Sequence, residues 1–74
     1  MATVIVKATV DGTVWAHSAG LGQYVFAGNP IMILESMKME VPVDAPVDGE
    51  IVSICPTGQQ VSAGGEVAKL ETRD

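Results

Sequence analysis

Cysteine, histidine and aromatic residues are nearly absent from this chain. Its 74 residues contain one cysteine, Cys55, one histidine, His17, and one each of Trp, Tyr and Phe. A single cysteine forms no internal disulfide. One His and one Cys fall short of the three or four protein ligands that zinc takes, and the two are too far apart in sequence to suggest a Cys–His nucleophile pair. Basic residues are also scarce: four Lys and Arg stand against nine Asp and Glu, for a net charge of −5 at pH 7. No basic run exists, so a nucleic-acid partner is not expected. No apolar stretch approaches the ~20 residues that span a bilayer. Met1-Ala2-Thr3-Val4 lacks the pattern of a secretory signal. These absences point to a reducing, cytoplasmic setting with no membrane contact. Phosphate-cradling glycine loops of the Walker or G-x-G-x-x-G type are missing too. Nothing here assembles a catalytic constellation, so the expectation is a protein that is not itself an enzyme.

What remains is apolar, β-branched and glycine-rich. Hydrophobic residues make up 47% of the chain and glycine occurs eight times. Such a composition favours strands and tight turns. The length allows one domain, residues 1–74. A chain this short buries only about 60% of its unfolded surface, so its core must be filled efficiently by Val, Ile, Leu, Ala and Met. Strands are predicted over residues 3–8, 13–18, 24–26, 31–35 and 39–44, with Asp11-Gly12 and Ala27-Gly28-Asn29-Pro30 as turns.

The second half then repeats the first. Ala8-Thr9-Val10-Asp11-Gly12 matches Ala45-Pro46-Val47-Asp48-Gly49 at an offset of 37, and Gly22, Gly28, Leu34 and Glu35 match Gly58, Gly64, Leu70 and Glu71 at 36. One residue has been lost near Cys55-Pro56-Thr57. Two units are too few for a solenoid. They predict two interlocked halves about a pseudo-two-fold axis, forming a flattened all-β barrel of about eight short strands. The expected inward positions are Val4 or Ile5, Val14, Val25, Ile31, Ile33, Val43, Ile51, Val61, Val67 and Leu70. Because repeat two ends where repeat one turns, the chain termini should lie opposite that turn.

The turn is the stretch Glu35-Ser36-Met37-Lys38-Met39-Glu40, flanked by strand-like runs on both sides. It places Lys38 at a hairpin bend as an exposed amine. Amines of this kind are ordinarily protonated at neutral pH and so are poor nucleophiles; the amine reads as a group to be modified by another enzyme. Met37 and Met39 form a flexible, polarisable apolar platform on either side. Glu35, Ser36 and Glu40 read as solvated hairpin residues or as recognition determinants. His17 reads as a satisfied strand residue, and Pro42 as an edge-strand or stiffening position.

Ser36-Met37-Lys38-Met39-Glu40, lying between two Val-Asp-Gly copies and followed by Ala45-Pro46-Val47-Asp48-Gly49, resembles the biotinyl-attachment domain of the biotin carboxyl carrier protein family. The resemblance runs from about Val6 to Glu71. It departs from the usual pattern in having Ser36 where relatives carry Ala. It also lacks a protruding thumb between the second and third strands. The resemblance implies a barrel-sandwich hybrid of two four-stranded antiparallel sheets, shared by biotinyl and lipoyl domains. It implies covalent biotin on Lys38, with Met37 and Met39 as flanking recognition residues. It further implies three partners: a biotin protein ligase, a biotin carboxylase and a carboxyltransferase, with a carboxyl group carried between the last two. Two alternatives stay open. One is a lipoyl carrier of a 2-oxoacid dehydrogenase or glycine-cleavage system, although such domains typically have Asp before the lysine. The other is an unmodified barrel-sandwich interaction module.

Overall fold

A computed structural model of the chain describes residues 1–73. Eight strands follow in order: β1 (Thr3–Lys7), β2 (Gly12–His17), β3 (Tyr24–Val25), β4 (Pro30–Ser36), β5 (Met39–Asp44), β6 (Gly49–Ile54), β7 (Gln60–Val61) and β8 (Glu66–Glu71). They form two four-stranded antiparallel sheets, β1-β8-β6-β3 and β5-β4-β2-β7. No helix occurs among the described residues. Each sheet mixes strands of both halves, so neither repeat completes a sheet alone. The sheets face one another across a single core, which includes Val14, Ile31, Met32, Leu34, Ile51 and Leu70. The body is elongated, 38 × 19 × 19 Å.

The pseudo-two-fold predicted from the repeats is present in the hydrogen bonds. Asp11 Oδ1 accepts the backbone N–H of Ala63 at 2.7 Å, and Asp48 Oδ1 accepts that of Ala27 at 2.7 Å. Each Asp thus ties the turn of the opposite repeat. The glycine that follows each Asp allows strands to cross closely. A Cβ on Gly12 would lie 2.5 Å from the Glu35 carbonyl oxygen, and one on Gly49 would lie 2.9 Å from that of Glu71. The same symmetry relates Ser36, paired with Met39, to Thr72, whose N–H donates to the Ala2 carbonyl at 2.9 Å. The operation that carries Ser36 onto Thr72 carries the lysine turn onto the chain ends. The two therefore occupy opposite ends of the long axis, as the repeats implied.

Bulges account for the core positions that strict alternation misplaces. The β4–β5 register shifts between Pro30 and Met32, which lets Ile31 and Met32 both enter the core. From there the inner face passes to Met32 and Leu34, and Ile33, expected inside, is half-buried on the outer face. In β1 the inward residue is Val6; Val4 is half-buried and Ile5 is exposed. Val61 is also only half-buried and packs against the core from its rim. Equivalent bulges in β2 and β6 turn Trp15 and Val52 outward. Pro42 lies on β5, an edge strand, where its missing N–H interrupts no ladder. His17 Nε2 lies 2.7 Å from the Cys55 carbonyl oxygen, so the ring is satisfied as a structural link between β2 and the segment after β6.

Candidate functional site

The site is built by the β4–β5 hairpin at one end of the body. Antiparallel pairing runs Leu34 with Val41, Glu35 with Glu40 and Ser36 with Met39. Only Met37 and Lys38 are left to make the turn. Two-residue loops that match the right-handed twist of their strands are of type I′ or II′, and type I′ has φ > 0 at both central positions. Met37 has φ 50° and Lys38 has φ 66°, and no other non-glycine residue among those described has a positive φ. Asn-Gly is the common choice for such a turn. Met-Lys pays a steric penalty of about 1–2 kcal/mol per residue instead. Strain of this kind gathers at functional positions. Sequence reasoning located the turn but not its conformation, because neither Met nor Lys is a turn signal.

The geometry holds the amine away from the rest of the protein. Lys38 is exposed and has no ion pair or hydrogen bond to any described residue. Met37 is 93% exposed and Met39 is 66% exposed, so neither methionine serves the core. Lys7 lies on β1, Lys69 on β8 and Arg73 beyond β8. Lys38 is therefore the only Lys or Arg on the β5-β4-β2-β7 sheet or its turns. Glu35 and Glu40 face each other directly at the base of the turn, and both are exposed. Like charges at directly opposed positions are unfavourable, which marks this pair as something the fold alone does not call for. Beside the turn lies a shallow groove whose walls include Asp11, Gly12, Ser36, Met37, Gln60 and Ser62. Among the described residues no group of three or more His, Cys, Asp or Glu is placed to hold a metal.

The family model described as biotin-requiring enzyme (biotin/lipoyl) matches residues 3–70. The chain belongs to this biotin/lipoyl family. Among curated relatives, it is 38% identical over 69 residues to a urea amidolyase of Saccharomyces cerevisiae, a match covering 92% of this chain and 4% of that one. It is 41% identical over 67 residues to the biotin-dependent acyl-coenzyme A carboxylase alpha3 subunit of Mycobacterium leprae, covering 89% of this chain and 11% of that one. Among solved structures, the urea carboxylase of Kluyveromyces lactis superposes with a TM-score of 0.89 at 30% identity, over 96% of this chain and 6% of that one. The chain thus corresponds to a small part of much longer relatives.

Membership of a biotin-requiring family sets a chemical demand that the site can be tested against. An amide to a carboxylic cofactor needs a primary amine that a second enzyme can enclose. Lys38 meets it: the amine projects from a narrow two-residue turn, is not engaged by a neighbouring acid, and is flanked by apolar side chains that stand free of the core.

Proposed function

We propose that this domain is a biotin carboxyl carrier, with biotin joined by an amide to the Nζ of Lys38. The single observation that carries the reading is the isolated Lys38 amine on a Met37-Lys38 turn in which both residues are held at positive φ. When bound, biotin accepts a carboxyl group at one site and releases it at another. The domain's own residues supply the rest. β4 and β5 fix the direction of the arm, Met37 and Met39 offer an apolar collar to the ligase, and Glu35 with Glu40 offers a negative one. Tethering keeps the cofactor at high effective concentration at both sites it visits. The protein is a carrier and catalyses neither half-reaction itself. Its partners are a biotin protein ligase, a biotin carboxylase and a carboxyltransferase, and its setting is cytoplasmic; the relative from Mycobacterium leprae is named as a biotin-dependent carboxylase subunit. A lipoyl role is disfavoured by Met37, where lipoyl domains typically have Asp, and by relatives named as carboxylases.

Intact-mass measurement after co-expression with a biotin ligase tests this. One biotin per chain is expected, and none on Lys38→Arg, which keeps the long cation and the fold. Peptide mapping that finds biotin on Lys7 or Lys69, or an unmodified wild-type chain, would overturn the reading.

A further inference from the structure

The duplicated fold contains its own control for the groove beside Met37. Under the repeat, Asp11, Gly12, Gln60, Ser62 and Met37 correspond to Asp48, Gly49, Tyr24, Phe26 and Arg73. The positions that wall the groove beside the lysine turn therefore recur, by the repeat, at the end holding the chain termini. At the terminal end it is furnished with rings. Tyr24 and Phe26 meet edge to face, with centroids 5.4 Å apart, and the Arg73 guanidinium sits 4.4 Å from the Tyr24 ring centroid. At the lysine end Gln60 and Ser62, both exposed, replace the two rings, and the space is left as an open groove. Met37, one residue from the tether, lines the groove and is the repeat counterpart of Arg73.

We infer that this groove is a resting site for the ring end of the group carried on Lys38, with Met37 as its cover. The inference rests on the proposed biotinylation. Its occupant is the fused ureido–thiophane ring of biotin, tethered one residue away. The chemistry of the walls suits it. Val10, Val61 and Ala63 offer apolar surface to the thiophane side. Asp11 uses one carboxylate oxygen for the Ala63 N–H, which leaves the other to accept a ureido N–H. The Gln60 amide can donate to the ureido carbonyl. Met37 adds a polarisable thioether over the ring face, the counterpart of the cation over Tyr24. Docking in the groove would withdraw the ring from water between visits to the two partner sites. It would do so reversibly, because the groove is open on one side and the arm is flexible.

The test uses the 74-residue chain biotinylated to completion, verified by intact mass. Nuclear Overhauser contacts are expected between the biotin ring protons and the methyls of Val61 and Ala63. Filling the groove with the residues of the other end, as Gln60→Tyr with Ser62→Phe, should abolish those contacts. It should also raise the rate at which streptavidin captures the biotin by about fivefold, because capture draws only on the undocked fraction. Both positions are exposed, so the fold should tolerate the change; Ser62→Phe alone is the milder form. A fully biotinylated wild-type chain without ring-to-groove contacts, captured at the same rate as the filled variant, overturns the resting site and leaves the carrier function standing. A chain that takes up no biotin at Lys38 overturns both, and the mass spectrum separates the two results.

Discussion

Asp11 accepts a hydrogen bond from the backbone N–H of Ala63 at 2.7 Å across 52 residues of chain. Its repeat counterpart, Asp48, does the same for Ala27 across 21. The Asp of each Val-Asp-Gly copy is thus a clasp between repeats. Hydrogen bonds to a charged group contribute about 1.5–3 kcal/mol, and surface exposure places these two at the low end. Asp11→Ala and Asp48→Ala should each lower the unfolding free energy by about 1.5 kcal/mol, read from urea midpoints at constant m-value. The clasps lie at opposite ends of the body, so the double variant should show the sum. A loss confined to one site would show that the clasps are not equivalent.

The glycines of the same motif separate on steric grounds. An added Cβ at Gly12 meets the Glu35 carbonyl oxygen at 2.5 Å, whereas at Gly49 the nearest atom is 2.9 Å away. Both distances force something to move, and the first forces more. Gly12→Ala should cost about 2–3 kcal/mol and Gly49→Ala about 1–2 kcal/mol. Gly12→Ala should also slow biotinylation, because the strand it displaces leads into the lysine turn, while Gly49→Ala should leave the rate unchanged. Thermal unfolding and ligase kinetics on the two variants measure both effects.

The turn itself is predicted to trade stability for presentation of the lysine. Asn tolerates the left-handed region better than Met does. Met37→Asn should therefore stabilise the domain by about 0.5–1 kcal/mol, while Met37→Val, with a β-branched side chain at φ 50°, should destabilise it. In a domain of this size a stabilisation of about 1 kcal/mol raises Tm by about 4–8 °C. An unchanged Tm for both variants would show that the turn is unstrained.

Glu35 and Glu40 oppose each other across the hairpin. Removing one charge without adding a second lysine isolates what the pair does. Glu40→Gln should stabilise the domain by about 0.2–1 kcal/mol. If the pair attracts a basic ligase surface, the same variant should lower kcat/KM for biotinylation severalfold, with a weaker dependence on salt. A stabilised variant biotinylated at the wild-type rate would assign the pair no part in recognition.

The parts of this molecule that were legible in sequence are those that repetition or chemistry exposes. Two Val-Asp-Gly copies gave the duplication, and with it the eight strands, the pseudo-two-fold and the position of the termini. Lys38 stood out because its Met-Lys-Met setting between the two repeats resembles a biotinyl-attachment motif; a lysine at an anonymous bend would not have. The illegible parts depend on one-residue geometry. Strict alternation put Ile33 inside, but the bulge after Pro30 brings Ile31 and Met32 in together and leaves Ile33 on the outer face. The positive φ at Met37 and Lys38 follows from the register of Ser36 with Met39, and pattern alone does not fix register to one residue. The groove was invisible because its walls come from three separate segments that only the closed fold brings together.

The last prediction concerns which cofactor the turn selects. Biotin and lipoate ligases both seek a lysine at a hairpin tip, so the backbone alone gives each a plausible target. Selection must then come from side chains beside the amine, and it needs an element that disfavours the wrong enzyme as well as one that favours the right one. Met37 and Met39 are 93% and 66% exposed and flank Lys38 on both sides. They present apolar, adaptable surface where an Asp would present a charge. Biotin ligase should therefore act on this domain at least about tenfold faster, by kcat/KM, than lipoate ligase, a ratio that needs only about 1.4 kcal/mol of discrimination. Met37→Asp with Met39→Ala should narrow that ratio. It should leave the cooperative unfolding transition in place, because neither methionine contributes to the core. Equal labelling of the wild-type domain by the two ligases, or labelling by lipoate ligase alone, would mean that the methionines are not the discriminating element and that biotin is not the cargo of Lys38.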